Sequence, residues 1–400
     1  MIRLPIVVLI AGFLILAIGN GSRFSQGLFL APMTGDLGWS FQVFSLAIAI
    51  QHFLTGLFQP FAGMVADRFG TARVIAGGML VYALGLVWMA NVEAPIELYL
   101  GSAVLIALGL SGAGIAIVLA AVARAFPAER RSFVLGITTA GASAGQFAFS
   151  PLSQALIGWQ SWSGALLIIA AIAAFAALLA VALRTPAGSG DGVAAFEQTV
   201  AQAVGEAARH SGFVYLALGF FVCGFHVTLV MTHLPAFAVI CGLSPMVGAT
   251  ALSLIGLFNI IGTNVAGWLG DRYRKKYLLS GLYFTRAVVF SLYLVFPVTE
   301  TSTLLFAGSM GLLWLSTVPL TSSLIGQIFG IRYLGTLFGL VFFSHQVGAF
   351  FGAWLGGFVY DTTGSYDPMW YAAIGLGLFA AVVHWPIADE PIRRPAPVAA

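Results

Sequence analysis

The sequence predicts an all-α integral membrane protein with twelve transmembrane helices in two pseudo-symmetric six-helix halves. Three observations predict it: an apolar composition, a one-sided distribution of cations and an internal repeat. Sixty per cent of the 400 residues are hydrophobic and only 8% are charged, against about a quarter charged in a soluble domain. No water-soluble fold could hide that much apolar surface. A membrane-spanning helix needs about 20 apolar residues. Breaks at charged residues, Pro and Gly divide the chain into spans over 5–33, 42–63, 73–92, 97–122, 133–157, 161–183, 211–240, 245–268, 276–297, 302–328, 335–360 and 367–387. The first apolar run, Pro5 to Met33, is too long for the hydrophobic region of a signal peptide and reads as a retained helix.

The cations orient these spans. Every Lys and Arg other than Arg23 and Arg286 falls on one side of the twelve-span arrangement, and the opposite loops carry only Asp36, Glu93, Glu97, Glu300, Asp361 and Asp367. Loop Lys and Arg concentrate on the cytoplasmic side, so both termini are expected there. The short loops suit a multi-pass protein of a bacterial inner membrane. Residues 1–183 form the first six-helix bundle, 184–210 a cytoplasmic linker, and 211–400 the second bundle with a short tail. The linker's AFEQTVAQAVGEAARH is mildly amphipathic; a surface helix and a plain tether both fit it.

The repeat has a period near 204 residues: GMVADRFGTARV after span 2 aligns with GWLGDRYRKKYL after span 8, placing Gly63, Asp67 and Arg68 on Gly267, Asp271 and Arg272. Nearly the same offset aligns Gly136, Gly145 and Phe147 of span 5 with Gly339, Gly348 and Phe350 of span 11. Two six-helix halves, each with Gly-x-x-x-Asp-Arg after its second helix, resemble the major facilitator superfamily over essentially the whole chain. The resemblance implies parallel repeats with substrate bound between them near the midplane. It also implies gating roles for Asp67, Arg68, Asp271 and Arg272, with Arg131 or Arg130 as a partner for Asp67. Span 4 has no Arg and span 5 lacks a Gly-Pro pair, which speaks against a proton-driven drug antiporter.

Charges within a bilayer are costly, so each needs a reason to be there. Only Arg23 in span 1 and Arg286 in span 9 are of this kind, and no Asp or Glu lies inside a span. Spacing of three sets Asn20, Arg23 and Gln26 on one helix face. A guanidinium is permanently charged and forked, suited to hold a carboxylate. With no intramembrane acid to pair with, an organic anion is the expected counter-ion of Arg23. The repeat sets Ser22 opposite His226, so His226 is expected at similar depth, with His233 two turns further along the same face. Such imidazoles could link transport to protons, or could simply join helices. Arg286 fits direct binding and helix bridging equally. Asn259, Trp314, His345 and Gln346 are further candidates for the cavity wall, with Gln51, His52, Ser316, Thr317 and Ser344 as weaker ones.

The cationic, acid-free interior resembles the monocarboxylate and oxalate/formate porters of the superfamily, as does GTLFGLVFFSHQVGAFFGAWLGG in span 11. Those porters carry a substrate-binding Arg on the eighth helix, where this chain has Asn259. The leading expectation is therefore a secondary transporter of a small organic anion, a monocarboxylate, acting as a monomer by alternating access. Proton symport, anion exchange and facilitated diffusion all remain open. An exporter of larger amphipathic or aromatic compounds is the alternative transporter. A non-transporting receptor or scaffold would call for a soluble domain or long tail, and neither is visible. No catalytic triad and no metal-ligand spacing can be read, so neither an enzyme nor a metal or cofactor is expected. Topology explains the cations without nucleic acid. Cys223 and Cys241 read as core packing.

Overall fold

The computed structural model describes residues 5–184, 199–330 and 332–392, with the side chains of residues 128, 129 and 132 left aside. It is helical along almost its whole length. The long units are α1 (Pro5–Leu37), α2 (Phe41–Phe69), α3 (Thr71–Ala90), α4 (Pro95–Ala123), α5 (Ala128–Gln160), α6 (Trp162–Leu183), α7 (Ser211–Ile240), α8 (Pro245–Gly270), α9 (Lys275–Val295), α10 (Glu300–Phe329), α11 (Leu334–Thr363) and α12 (Asp367–His384). Ten of them are long and apolar enough to cross a membrane. The exceptions are α5 and α12. In α5, Thr138, Ser143, Gln146, Ser150 and Ser153 are all buried, so its polarity is spent on protein rather than lipid. The linker's amphipathic stretch forms a helix over Val200–Arg209, started by a reciprocal Thr199 and Gln202 capping box. Residues 185–198 of the linker and the final cations Arg393 and Arg394 lie outside the described residues.

Packing repeats as the sequence does. α1 lies against α5 and α3 against α6; correspondingly, α7 lies against α11 and α9 against α12. Small residues permit the closest crossings: a Cβ on Gly141 or Gly145 would meet the backbone of Phe13 or Ala17 in α1, and one on Gly348 that of Phe221 in α7. Ala17 and Phe221 are repeat partners, as are Gly145 and Gly348, so the internal repeat is a repeat of helix contacts. Without a hydrophobic driving force between helices in lipid, this close backbone approach is a main source of cohesion.

Three long units are interrupted. α1 breaks at Ser25 into a short 3₁₀ turn, α4 breaks at Ala113–Gly114, and α10 breaks between Leu313 and Thr317. Irregular backbone at membrane depth survives only where its freed polar groups find protein partners, and the partners at α10 turn out to decide the role of Arg286.

The two halves meet through α2 with α11 and through α5 with α8. On the face carrying Asp36 and Asp361, the Asp361 carboxylate accepts from the Phe41 and Gln42 N–H groups at 3.1 and 2.7 Å. There Gly27 of α1 abuts the Met231 and Thr232 backbone of α7, and Gly357 abuts Phe41 and Ser45. On the opposite, cation-rich face, Gly63, Gly136, Gly267 and Gly339 sit near the ends of α2, α5, α8 and α11. A Cβ on any of them meets no described atom within 4 Å. The described contacts between the halves gather at the acidic face and the middle of the bundle, and the Asp361 bonds close the acidic face.

Candidate functional site

The polar groups at the middle of the bundle form one hydrogen-bonded chain across both halves. Arg23 of α1 is half-buried, and its Nη2 lies 2.9 Å from Nδ1 of His52 on α2. A guanidinium can only donate, so Nδ1 accepts and the imidazole is neutral with its proton on Nε2. The His52 carbonyl in turn accepts from Gln346 Nε2 of α11 at 3.0 Å. Gln346 Oε1 then accepts from His345 Nδ1 at 3.1 Å. Gly56 makes room for this crossing, since a Cβ there would strike the Gln346 side chain. Arg23, His345 and Gln346 are thus brought together as the sequence suggests. The connecting residue is His52, a weak candidate by sequence because a single mid-helix His carries no pattern that separates a ligand from a packing residue.

Arg23 has no carboxylate partner among the described residues, and its Nε has no acceptor. His52 Nε2 is also without one, and Gln26 has neither an acceptor for its Nε2 nor a donor for its Oε1. Asn20, on the same face, donates only to the Leu16 carbonyl of its own helix at 3.3 Å. The region therefore holds a permanent cation and unpaired polar atoms, with no acid among the described residues to neutralise the charge.

Arg286 is arranged differently. Fully buried on α9, it donates to the Leu313 carbonyl at 2.6 Å, to the Trp314 carbonyl and to Cys223 Sγ at 3.5 Å. These are the carbonyls released by the break in α10, so the guanidinium caps the C-terminal end of a half-helix, where partial negative charge accumulates. Asn259 secures the other side of the break: Oδ1 accepts from Leu315 N–H at 3.0 Å, while Nδ2 donates to Ser143 Oγ of α5 at 2.8 Å. Trp314 is buried in the same junction.

The expected meeting of Arg23 and His226 does not form. His226 turns toward α12, its Nε2 donating to the Ala373 carbonyl at 2.8 Å, with Phe290 of α9 against its ring. His233 donates from Nε2 to Ala353 O and accepts at Nδ1 from the Tyr366 hydroxyl, at 2.8 and 2.9 Å. Both join helices within the second half. The repeat aligns them in register with α1, but an amphipathic register does not fix which way a wholly apolar helix faces, and α7 is buried nearly all round.

At the basic face the ion pair of Asp67 is with Arg124, at 3.9 Å, and not with Arg130 or Arg131. Arg131 donates to the Phe126 carbonyl at 3.3 Å. Arg68 lies over the Phe69 ring and Arg272 over Trp268, at 5.4 and 3.8 Å to the centroids; Asp271 is exposed just past the end of α8. In the second half the ionic contacts gather instead on Asp389, which accepts from Arg274 and lies 3.9 Å from Lys276. The Arg274 hydrogen bond holds the Asp389 carboxyl below its usual range. Cys241 is exposed at the end of α7, a departure from the core position expected for it.

A bundle of long apolar helices in two repeated halves, joined at its centre by polar groups from both and latched at one face, is an architecture suited to a membrane transporter. Residues 9–317 and 267–400 match the Major Facilitator Superfamily, and the chain belongs to that superfamily. It is similar to monocarboxylate transporter 13 of Bos taurus, 27% identical over 366 residues that cover 88% of this chain and 82% of that protein. It is similar also to an uncharacterized MFS-type transporter, YcxA, of Bacillus subtilis strain 168, 28% identical over 370 residues and 88% of each chain. Among solved structures, it shares its fold with a bacterial homolog of the human lysosomal transporter Spinster in an inward-facing and occupied conformation. The TM-score is 0.77, with 16% identity over 97% of this chain and 98% of that one.

Proposed function

We propose that this transporter moves a small organic anion, a monocarboxylate, by alternating access, and that Arg23 is the counter-ion of the carboxylate. One observation carries the reading: a cation fixed at the middle of the bundle, facing no acid among the described residues and bonded to a neutral imidazole. The comparison with Arg286 strengthens it. Both arginines are intramembrane and the Nε of each is without an acceptor, but Arg286 donates to the backbone carbonyls of α10, whereas Arg23 meets the side chain of His52. The names of the curated relatives point the same way.

In this mechanism residues 1–183 and 211–400 rock as two bodies around the bound anion. Arg23 grips the carboxylate, Asn20 and Gln26 supply further polar contacts, and Gln346 and His345 report occupancy to the second half. In this reading the basic face lies in the cytoplasm and, because the contacts between the halves gather away from it, is the face from which the site is open. Asp67, Arg68, Arg131, Asp271 and Arg272 regulate closure of that face. Asn259 and Trp314 belong to the wall beside the α10 break, while His226, His233 and Arg286 hold the second half together. Protons are one available coupling ion.

The test is thermal stabilisation of the detergent-purified protein by pyruvate, lactate, benzoate, oxalate, glucose and tetraphenylphosphonium. A ligand stabilises the folded state by mass action whatever the direction of transport. Carboxylates should raise the melting temperature, and the rise should vanish in Arg23→Gln. Arg23→Lys keeps the charge and loses the fork, so affinity should fall at least tenfold, on the order of the 1–3 kcal/mol that a charge-assisted bond contributes. Stabilisation by glucose or the cation alone, or carboxylate binding indifferent to Arg23, refutes the assignment.

A further inference from the structure

We infer that the carboxylate taken by this site carries an aromatic body, and that Phe342, backed by His345, is the shelf on which its ring lies. The inference rests on the anion reading above and adds the chemistry of the substrate's other end. His345 is held on both sides. Its Nδ1 is committed to Gln346, the Phe220 ring lies against one part of it at 5.0 Å between centroids, and the Phe342 ring lies parallel to it, 5.5 Å away with an interplanar angle of 5°. Phe342 and His345 are stacked and Phe220 is tilted against His345 by 50°; the inner ring, Phe220, is buried and the outer one, Phe342, partly exposed.

The register of α11 says what that exposed ring faces. Ser344, Gly348 and Gly352 pack on α7, and Phe351 and Phe358 are exposed on the outside of the bundle. Phe342 is four residues before Gln346 and so shares its face, the face that reaches His52 and, through it, Arg23. α11 runs from the basic face, open in this reading, to the closed acidic one, so Phe342 lies about 6 Å nearer the opening than Gln346. Phe338, half-buried one turn earlier, continues the aromatic wall, with its ring centroid 6.4 Å from that of Phe342. A ligand whose carboxylate reached Arg23 from the opening would lay its body along these rings. Cation at the far end and flat π surface at the near end complement an aryl carboxylate; acetate or pyruvate would leave the shelf bare.

The experiment compares pyruvate with phenylpyruvate, which share the carboxylate and differ by the ring, in calorimetric titrations of the full-length protein. Phenylpyruvate should bind about tenfold tighter, the scale of one aromatic stacking contact with the accompanying burial. Phe342→Leu should bring the ratio close to one by weakening phenylpyruvate and leaving pyruvate unchanged, while Phe342→Trp should preserve it. A ratio untouched by Phe342→Leu, or equal affinities in the wild type, overturns the inference. A measurement needing no variant compares phenylacetate with cyclohexylacetate, of similar size but without a π face; equal binding of these two overturns it as well. Failure of the anion reading has a different signature: neither keto acid binds, or Arg23→Gln leaves both affinities intact, and this inference then falls with it.

Discussion

The Asp361 latch gives the most direct test of how the halves come apart. Its carboxylate accepts two N–H groups from the first turn of α2, donors that Ser40, at the N-cap, leaves unsatisfied by its own side chain. The bond crosses from one half to the other, so it exists only while the acidic face is closed. Asp361→Ala removes an N-cap, costing about 1 kcal/mol, together with a favourable charge at a helix N-terminus, about 0.3–1 kcal/mol. The sum, on the order of 1.5–2 kcal/mol, corresponds to a shift of about 10- to 30-fold toward the state open at the acidic face. The Phe41–Tyr360 ring stack at 4.9 Å and the Gly27 crossing remain, so the face is loosened and not abolished. Spin labels on Ser40→Cys and Thr362→Cys, both exposed, in a Cys241→Ser background would report it by double electron–electron resonance, since the other cysteine, Cys223, is buried. A long-distance population should grow in Asp361→Ala and grow less in Asp361→Asn, which keeps one acceptor oxygen. An unchanged distance distribution in a folded Asp361→Ala protein would refute the latch and the reasoning from exclusive contacts behind it.

Further tests address the rest of the molecule. Arg286→Met leaves the Leu313 and Trp314 carbonyls without their donor and should lower the melting temperature by the equivalent of about 3 kcal/mol, without altering which ligands stabilise the protein; loss of carboxylate binding alone, at unchanged stability, would instead place Arg286 in the site. Asn259→Ala breaks two bonds and should cost about 2 kcal/mol, also read by thermal melting; Asn259→Asp should not restore it, because the Ser143 hydroxyl can turn to donate to the carboxylate but an ionised carboxylate at this depth costs more to desolvate than the bond returns. Asp389 carries a pH signature. Its folded carboxyl holds a proton less tightly than the unfolded chain does, because of the Arg274 bond, so its contribution is complete above about pH 3.9 and is lost as pH falls through the depressed folded value. Stability of the wild type should therefore decline in that acid window more steeply than that of Asp389→Asn, and parallel curves would exclude the effect.

How far the sequence reveals this molecule depends on the range of the physics involved. Spans, orientation and the two-half plan are legible because lipid imposes a local requirement on every residue of a helix, and the duplicated loops leave matched glycines and Asp-Arg pairs behind. Gly145 and Gly348 could even be aligned before their crossings with α1 and α7 were known. The breaks in α1, α4 and α10 are less legible: Arg23 precedes the first and Pro319, which has no N–H for the Leu315 carbonyl, follows the third, but neither says whether the helix bends, ends or continues there; α10 opens at Leu313–Ser316 because Arg286 and Asn259 stabilise the opened backbone from other helices. Asp361 reads as a topology residue, and its bond to Phe41 spans 320 residues, a separation at which no periodicity carries information. His226 shows the opposite failure: sequence symmetry predicts a position along the helix axis but not a direction around it.

The two buried arginines show why partners, more than positions, decide function in a membrane interior. By sequence they are equivalent: each is a lone cation in an apolar span, and each would be equally costly to leave uncompensated. The difference lies in what satisfies them. Arg286 meets backbone carbonyls that exist whether or not a ligand is present, so its energy is committed to the fold, and it holds α9 to the broken α10 in every state that keeps the break. Arg23 meets the side chain of His52, which can rotate away; Nε is without an acceptor in both arginines, so the difference lies in the partner that each does have. A site must hold interactions in reserve if binding is to be favourable, and it must be able to give them back if the ligand is to leave on the other side. Arg23 satisfies both conditions because its partner is a side chain that can be exchanged for a ligand, and the chain His52–Gln346–His345 carries that contact across the interface between the halves. Anion binding and rearrangement of the interface are therefore coupled through one set of bonds, the minimum that alternating access requires.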